Sequence, residues 1–169
     1  SNSSGLIRDV GVNMSTGSAS AGTGGLVNTN SGVIKNSFAN ASIYSATNST
    51  LGGLVGSNSG LITNSFATGA VSGTSMVGGL IGSNGTSSSS SPSNILNSFS
   101  KVSVTGTSSY VGGLIGQNAT TGTGASSTVT NSFATGDVSM STGVNGGGGL
   151  IGYNVAGGAN SSVAVINSH

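Results

Sequence analysis

The sequence has almost no charge. Its 169 residues contain three cations, Arg8, Lys35 and Lys101, and two carboxylates, Asp9 and Asp137, with no Glu. Charged residues are 3% of the chain, where an ordinary globular domain carries roughly 25%. Three isolated cations cannot displace the counterions of a nucleic acid, which argues against that partner. They make no polybasic membrane patch. No apolar run approaches the ~18–20 residues of a membrane helix, so no membrane insertion is expected. Cysteine is absent, so in a secreted setting stability has to come from the fold and not from disulfides. There is one Pro and one His, at position 169, and no Trp. The chain does not begin with Met and has no signal-peptide pattern, which reads as a processed or excised segment.

Gly, Ser, Thr and Asn fill the space that charge leaves. Such a surface hydrogen-bonds well but repels copies of itself poorly. The same composition is compatible with disorder. Against disorder, hydrophobic residues are 34% of the chain, and they recur at fixed places. Two phrases alternate. Gly-Gly-Leu-[Val/Ile] appears at 24–27, 52–55, 78–81, 112–115 and 148–151, and its last four copies extend to Asn58, Asn84, Asn118 and Asn154. Asn-Ser-Phe appears at 36–38, 64–66, 97–99 and 131–133, with a fifth copy cut short as Asn167-Ser168-His169. Leu26, Leu54, Leu80, Leu114 and Leu150 are separated by 28, 26, 34 and 36 residues. The longer steps contain a Ser87–Ser91 run ending at Pro92 and an Ala119–Ser127 stretch, both placed as loops on a repeating frame.

Helix is excluded by the 32 glycines, each costing about 0.8–1 kcal/mol against Ala in a helix interior. Short β-branched runs bounded by Gly and Asn are the signature of strands and turns. Two positions before each key Asn stand Ile34, Ile62, Ile95 and Val129. Strict alternation points these residues, the Asn and the Phe to one side, and Lys35, Thr63 and Thr130 to the other. Ile43, Val71, Val104 and Val138 form a second apolar column, and the Leu of each Gly-Gly-Leu a third. The expectation is a single all-β domain over 1–169: a parallel β-solenoid of about five coils, each with roughly three short strands. The coils are expected near 1–27, 28–55, 56–81, 82–115 and 116–151, with a partial one at 152–169. An antiparallel sandwich is the alternative, but it has no reason to repeat the two phrases in strict alternation.

The phrases resemble the GLUG repeat of large bacterial surface and secreted proteins, including adhesin-like proteins. The unit closest to it is Gly52-Gly53-Leu54-Val55-Gly56-Ser57-Asn58-Ser59-Gly60-Leu61-Ile62-Thr63-Asn64-Ser65-Phe66-Ala67-Thr68-Gly69-Ala70-Val71. The first copy departs, with Asp9 in the place of Asn and Gly11 in the place of Phe. The resemblance implies a β-solenoid in an extracellular or cell-surface setting. It carries over no catalytic residue and no ligand.

The candidate sites follow from the repeat. Asn36, Asn64, Asn97 and Asn131 are expected to point inward and form a structural ladder, as are Phe38, Phe66, Phe99 and Phe133, and Leu54, Leu80, Leu114 and Leu150. No Lys follows the Gly-Gly-Leu glycines, so they are no phosphate cradle. Asp9 and Asp137 fall about four coils apart, on the order of 19 Å, where glycoside hydrolysis needs its carboxyls within ~5–9.5 Å. His169 has no partner in view. No catalytic residue, metal or cofactor is expected. Asn-x-[Ser/Thr] glycosylation sites occur at Asn2, Asn13, Asn40, Asn48, Asn84, Asn118 and Asn160. The Ser/Thr-rich insertions are alternative sites for O-linked sugars. Tyr44, Tyr110 and Tyr153 fall at different phases and form no sugar-stacking strip. The expected function is a non-enzymatic subunit or segment of an extracellular filament or surface fibre. Its expected partner is itself, head to tail, since the chain opens and closes near one phase of the repeat and a second copy would continue the ladder with little mismatch. The alternative is an adhesin-like module that uses one face for cell-surface glycans, a host surface or ice.

Overall fold

Each apolar phrase becomes a short strand, and each strand pairs in parallel with its counterpart one repeat away. The computed structural model describes residues 1–17, 19, 22–47 and 49–169. Among them there is no helix. The strands form four parallel sheets that run along one axis. Sheet I stacks Leu6–Arg8, Val33–Lys35, Leu61–Thr63, Ser93–Leu96, Ser126–Thr130 and Ser162–Ile166. Sheet II stacks Gly11–Thr16, Phe38–Tyr44, Phe66–Gly73 and Phe99–Gly106, and is completed by Phe133–Ala134 and Val138–Met140. Sheet III stacks Thr23–Gly24, Leu51–Gly52, Val77–Gly78, Tyr110–Gly112 and Gly146–Gly148. Sheet IV stacks Val27–Asn30, Val55–Asn58, Ile81–Asn84, Ile115–Thr120 and Ile151–Ala156. This is a parallel β-solenoid of about five coils.

Each coil has four strands, one more than the sequence suggests. The Gly-Gly-Leu-[Val/Ile] phrase is a corner and not a strand. It separates the two-residue strand Leu51–Gly52 from Val55–Asn58. A strand this short leaves no alternation to detect.

The core is a set of aliphatic columns. Ile34, Ile62, Ile95 and Val129 are fully buried from sheet I, and Ile43, Val71 and Val104 are buried from sheet II. Leu54, Leu80 and Leu114 fill the corner between sheets III and IV at 0% exposure. Two further columns, Leu51/Val77/Val111 and Val55/Ile81/Ile115, close the interior. A fully buried Leu, Ile or Val contributes about 1.5–3 kcal/mol, and stacking gives every inner coil the same contribution.

The ends of the stack are not flush. Sheet I has six strands, while sheets III and IV have five. Ser162–Ile166 therefore stands one strand above its neighbours.

The glycines of the corner phrase are required by close approach. None of Gly52, Gly53 and Gly56 has a positive φ. A Cβ on Gly52 would collide with the carbonyl of Val55, and one on Gly53 with the carbonyl of Gly79 in the next coil. Gly149 holds the same place in the last coil, and a Cβ there meets nothing within 4 Å. Gly53→Ala is therefore expected to lower unfolding stability by about 1–3 kcal/mol through overpacking. Gly149→Ala should stay within ~0.5 kcal/mol. Denaturant unfolding of both variants checks this, and equal losses would show that coil contact is not the reason for the glycines.

Candidate functional site: ladders inside and outside the coil

A buried polar side chain needs partners, and here the partner is its own copy one coil away. Asn30, Asn58, Asn84 and Asn118 are all at most 2% exposed. Nδ2 of Asn2 donates to Oδ1 of Asn30 at 2.8 Å, and Asn30 donates to Asn58 at 2.7 Å. Asn58 donates to Asn84 at 2.7 Å, Asn84 to Asn118 at 2.8 Å, and Asn118 to Asn154 at 2.7 Å. The second amide proton of Asn58 goes to the carbonyl of Gly60 at 3.0 Å. Where longer loops replace this corner, a hydroxyl takes over: Asn84 donates to Oγ of Ser127, which donates to Oδ1 of Asn118. The loops also stack, with Thr121 N–H donating to the Thr86 carbonyl and Gly124 N–H to that of Ala159.

The Asn-Ser-Phe phrase turns the other way from its expected orientation. Asn36, Asn64, Asn97 and Asn131 have φ between 48° and 50°. This left-handed conformation, which Asn tolerates better than other non-glycine residues, breaks the period-two alternation. The Asn side chains are exposed, and the next residue points inward. Ser37, Ser65, Ser98 and Ser132 are at most 1% exposed. Oγ of Ser65 donates to the Thr63 carbonyl at 2.9 Å and accepts the N–H of Ser37 at 3.1 Å. The same pair of bonds recurs at Ser98 and Ser132. Serine is thus the inward residue that sequence reasoning missed, and its regular place after Asn was the available signal.

The phenylalanines also lie outside, correcting the inward assignment of Phe38, Phe66, Phe99 and Phe133. Phe66 pairs with both Phe38 and Phe99 in sheet II. The ring centroids are 5.1, 4.8 and 5.0 Å apart, with planes within 5°. His169 continues the stack on Phe133 at 5.7 Å. Lys101 places its ammonium 5.7 Å from the Phe99 ring centroid. The outer Asn column bonds as well: Asn36 Nδ2 donates to Asp9 Oδ1, Asn64 to Asn36 and Asn131 to Asn97, at 3.2–3.3 Å. Asp9 itself has a φ of 56°, so the first coil keeps the corner despite its divergent sequence. Tyr110 and Tyr153, which their sequence phases separate, stack at 4.4 Å across the tight corner between sheets III and IV.

The structure divides the glycosylation candidates. Asn2, Asn84 and Asn118 are buried members of the inner ladder. A glycan on any of them would remove the rung, so these three are corrected. Asn13, Asn40 and Asn160 are exposed. Asn48 lies outside the described residues. In the Ser-rich insertion, Ser87, Ser89, Ser90 and Ser91 are exposed.

The remaining polar groups do not converge. Asp9 lies at the first corner of sheet II and Asp137 in the fifth coil, beside the pair Val104–Val138. Among the described residues, no three His, Cys, Asp or Glu side chains lie together as metal ligands. Ser93 Oγ, Asn94 Oδ1 and Thr120 Oγ1 are buried without a partner.

The family model described as the GLUG motif matches residues 47–72 and 107–139. Each match runs from the approach to sheet III through the inner Asn and the Asn-Ser-Phe corner into sheet II. These two segments thus match the GLUG motif and lie within the β-solenoid. No curated protein and no solved structure matches the chain.

Asn58→Leu leaves the Asn30 amide, the Asn84 side-chain oxygen and the Gly60 N–H without their partner, while the Gly60 carbonyl keeps the Asn94 N–H. At ~1–3 kcal/mol for each unpaired buried group, it should cost several times more stability than Asn64→Gly. The latter removes an exposed amide and keeps a residue suited to positive φ. Thermal and denaturant unfolding of the two variants compares them directly; the reverse order would mean that the outer ladder holds the fold. In a host that glycosylates Asn-x-[Ser/Thr], site-resolved mass spectrometry of folded chain should find glycans only outside Asn2, Asn84 and Asn118. A folded chain modified at Asn84 would contradict the burial argument.

Proposed function

We propose that this GLUG-repeat solenoid is a non-enzymatic structural rod, a subunit or a segment of an extracellular filament or cell-surface fibre. One observation carries the reading: each inner coil bonds to the coils on both sides through the same rungs, as Asn58 does with Asn30 and Asn84. A rod built this way lengthens by adding coils without new chemistry. Any free end of such a stack presents unpaired strand edges, which favour further pairing. The low net charge, formally +1, offers little repulsion against it.

Separate copies joined end to end, or further coils of one longer chain, would extend the same ladders. The non-enzymatic reading is supported by the dispersal of the two carboxylates along the stack and by surfaces made of hydroxyl, amide and ring ladders.

The outward Phe column favours a second reading, an adhesin-like binding module for glycans, a host surface or ice. Sugars stack on ring faces, and here the faces between Phe38 and Phe133 cover one another. A glycan would depend on the Asn and Thr columns alone, which makes this the weaker reading.

Electron microscopy of concentrated chain, paired with intact mass, tests the structural role. Filaments whose covalent unit has a mass near 15.9 kDa would mark a subunit, and rods of greater covalent mass a segment. Isolated particles of one chain at high concentration, together with saturable binding on a glycan array or inhibition of ice recrystallisation, would reverse the order of the two readings.

A further inference from the structure

The Phe38–Phe133 column is an outward strip, exposed at Phe38 and half-buried at Phe66, Phe99 and Phe133, that the solenoid itself does not require. Its rings add nothing to the inner columns, and Phe38 remains 39% exposed. The centroid steps of 5.1, 4.8 and 5.0 Å make a strip about 15 Å long. Beside it runs the next outward column of sheet II, with Asn40, Thr68 and Lys101 in register. Two residues along a strand separate these columns by roughly 6.6–6.8 Å. Sheet geometry thus leaves a shallow channel parallel to the axis, with the rings on one side and Asn40, Thr68 and the Lys101 ammonium, which leans toward Phe99, on the other.

Three features select the occupant. The ring faces are already covered, so a ligand has to lie along the strip and not between the rings. The relief repeats at every coil, so the channel provides little register for a knobbed protein surface and suits a flat, unbranched molecule. Lys101, held over Phe99, is the cation nearest the channel and favours a negative group at that point. We propose that this channel binds elongated planar aromatic anions, with the conjugated rings along Phe38, Phe66, Phe99 and Phe133 and the anionic group at Lys101.

Congo red is a suitable probe, since it is flat, long and anionic; thioflavin T, flat and cationic, is its counterpart. The whole chain should bind Congo red saturably, with a shifted absorption band. Phe66→Leu combined with Phe99→Leu keeps apolar side chains in the strip but removes two central rings. It should weaken binding about tenfold or more while the circular dichroism and unfolding midpoint show a folded solenoid. Lys101→Gln should weaken Congo red by about threefold to tenfold and strengthen, not weaken, thioflavin T. The proposal is overturned if Congo red binding is absent or unsaturable, or if the double Leu variant binds it as the parent does. It is also overturned if sedimentation shows ligand-free chains pairing side by side through the strip, with the pairing lost in the double Leu variant; a second copy would then be the occupant.

Discussion

The buried asparagine amide is the interaction on which the rest depends. It has two donors and an acceptor with two lone pairs, and burying it unpaired is costly. At Asn58 all four positions are filled: Asn30 and the Gly60 N–H supply the oxygen, while Asn84 and the Gly60 carbonyl take the protons. Two of these partners are other coils. The amide is satisfied only when neighbouring coils stand at the spacing of a parallel sheet, about 4.7–4.9 Å, with their own Asn directly above and below. A coil shifted by one residue would present a different side chain and leave a buried amide unpaired on either side. Hydrophobic columns tolerate small slips, since any aliphatic group covers another; the amide does not.

Fixing the register at this corner allows other parts of the coil to vary. The corner after Asn30 or Asn58 is a short turn ending in glycine, whereas Asn84 and Asn118 are followed by long loops. The rung survives because Ser127 supplies the missing acceptor and donor. Between sheets III and IV the tolerance is the opposite. Backbones approach so closely at Gly52 and Gly53 that a methyl group has no space. One corner therefore accepts insertions and the other accepts none; the repeat length drifts at the first and also between sheets II and III, where Phe38 to Leu54 is 16 residues and Phe66 to Leu80 is 14.

Most of the fold was legible because period and phrase are repeated. Parallel stacking, the Ile/Val column before each key Asn and the Leu column all follow from aligning copies. The orientation of Asn-Ser-Phe was not legible from alternation. A left-handed residue at Asn64 reverses the inward and outward assignment of the Ser and Phe that follow it, and period-two reasoning passes over such a residue without noticing. The sequence contained the signal in another form. Serine follows Asn in every copy from Asn36 onward, and a freely exposed position would have less reason to keep it. The inner amide ladder was hidden for a related reason. The Asn of Gly-x-Asn looks like a turn residue, and only the bonds from Asn30 to Asn118 distinguish a buried rung from a polar corner. Tyr110 and Tyr153 meet across a corner too tight to be read from spacing.

The two amide ladders also run in opposite senses. Inside, each Asn donates toward the C-terminal coil, as Asn30 does to Asn58. Outside, where the column bonds, each Asn donates toward the N-terminal coil, as Asn64 does to Asn36. Aligned amides add their dipoles, as they do in a helix, and a long stack with one ladder would accumulate an axial field. Where both ladders bond, they offset each other. Such compensation matters most in a chain that has hardly any charged side chains to neutralise a field at its ends. It reduces a term that would otherwise grow with the number of coils. Asp9 fits this arrangement as the first member of the outer ladder, since a carboxylate accepts from Asn36 and, when ionised, has no proton to pass on.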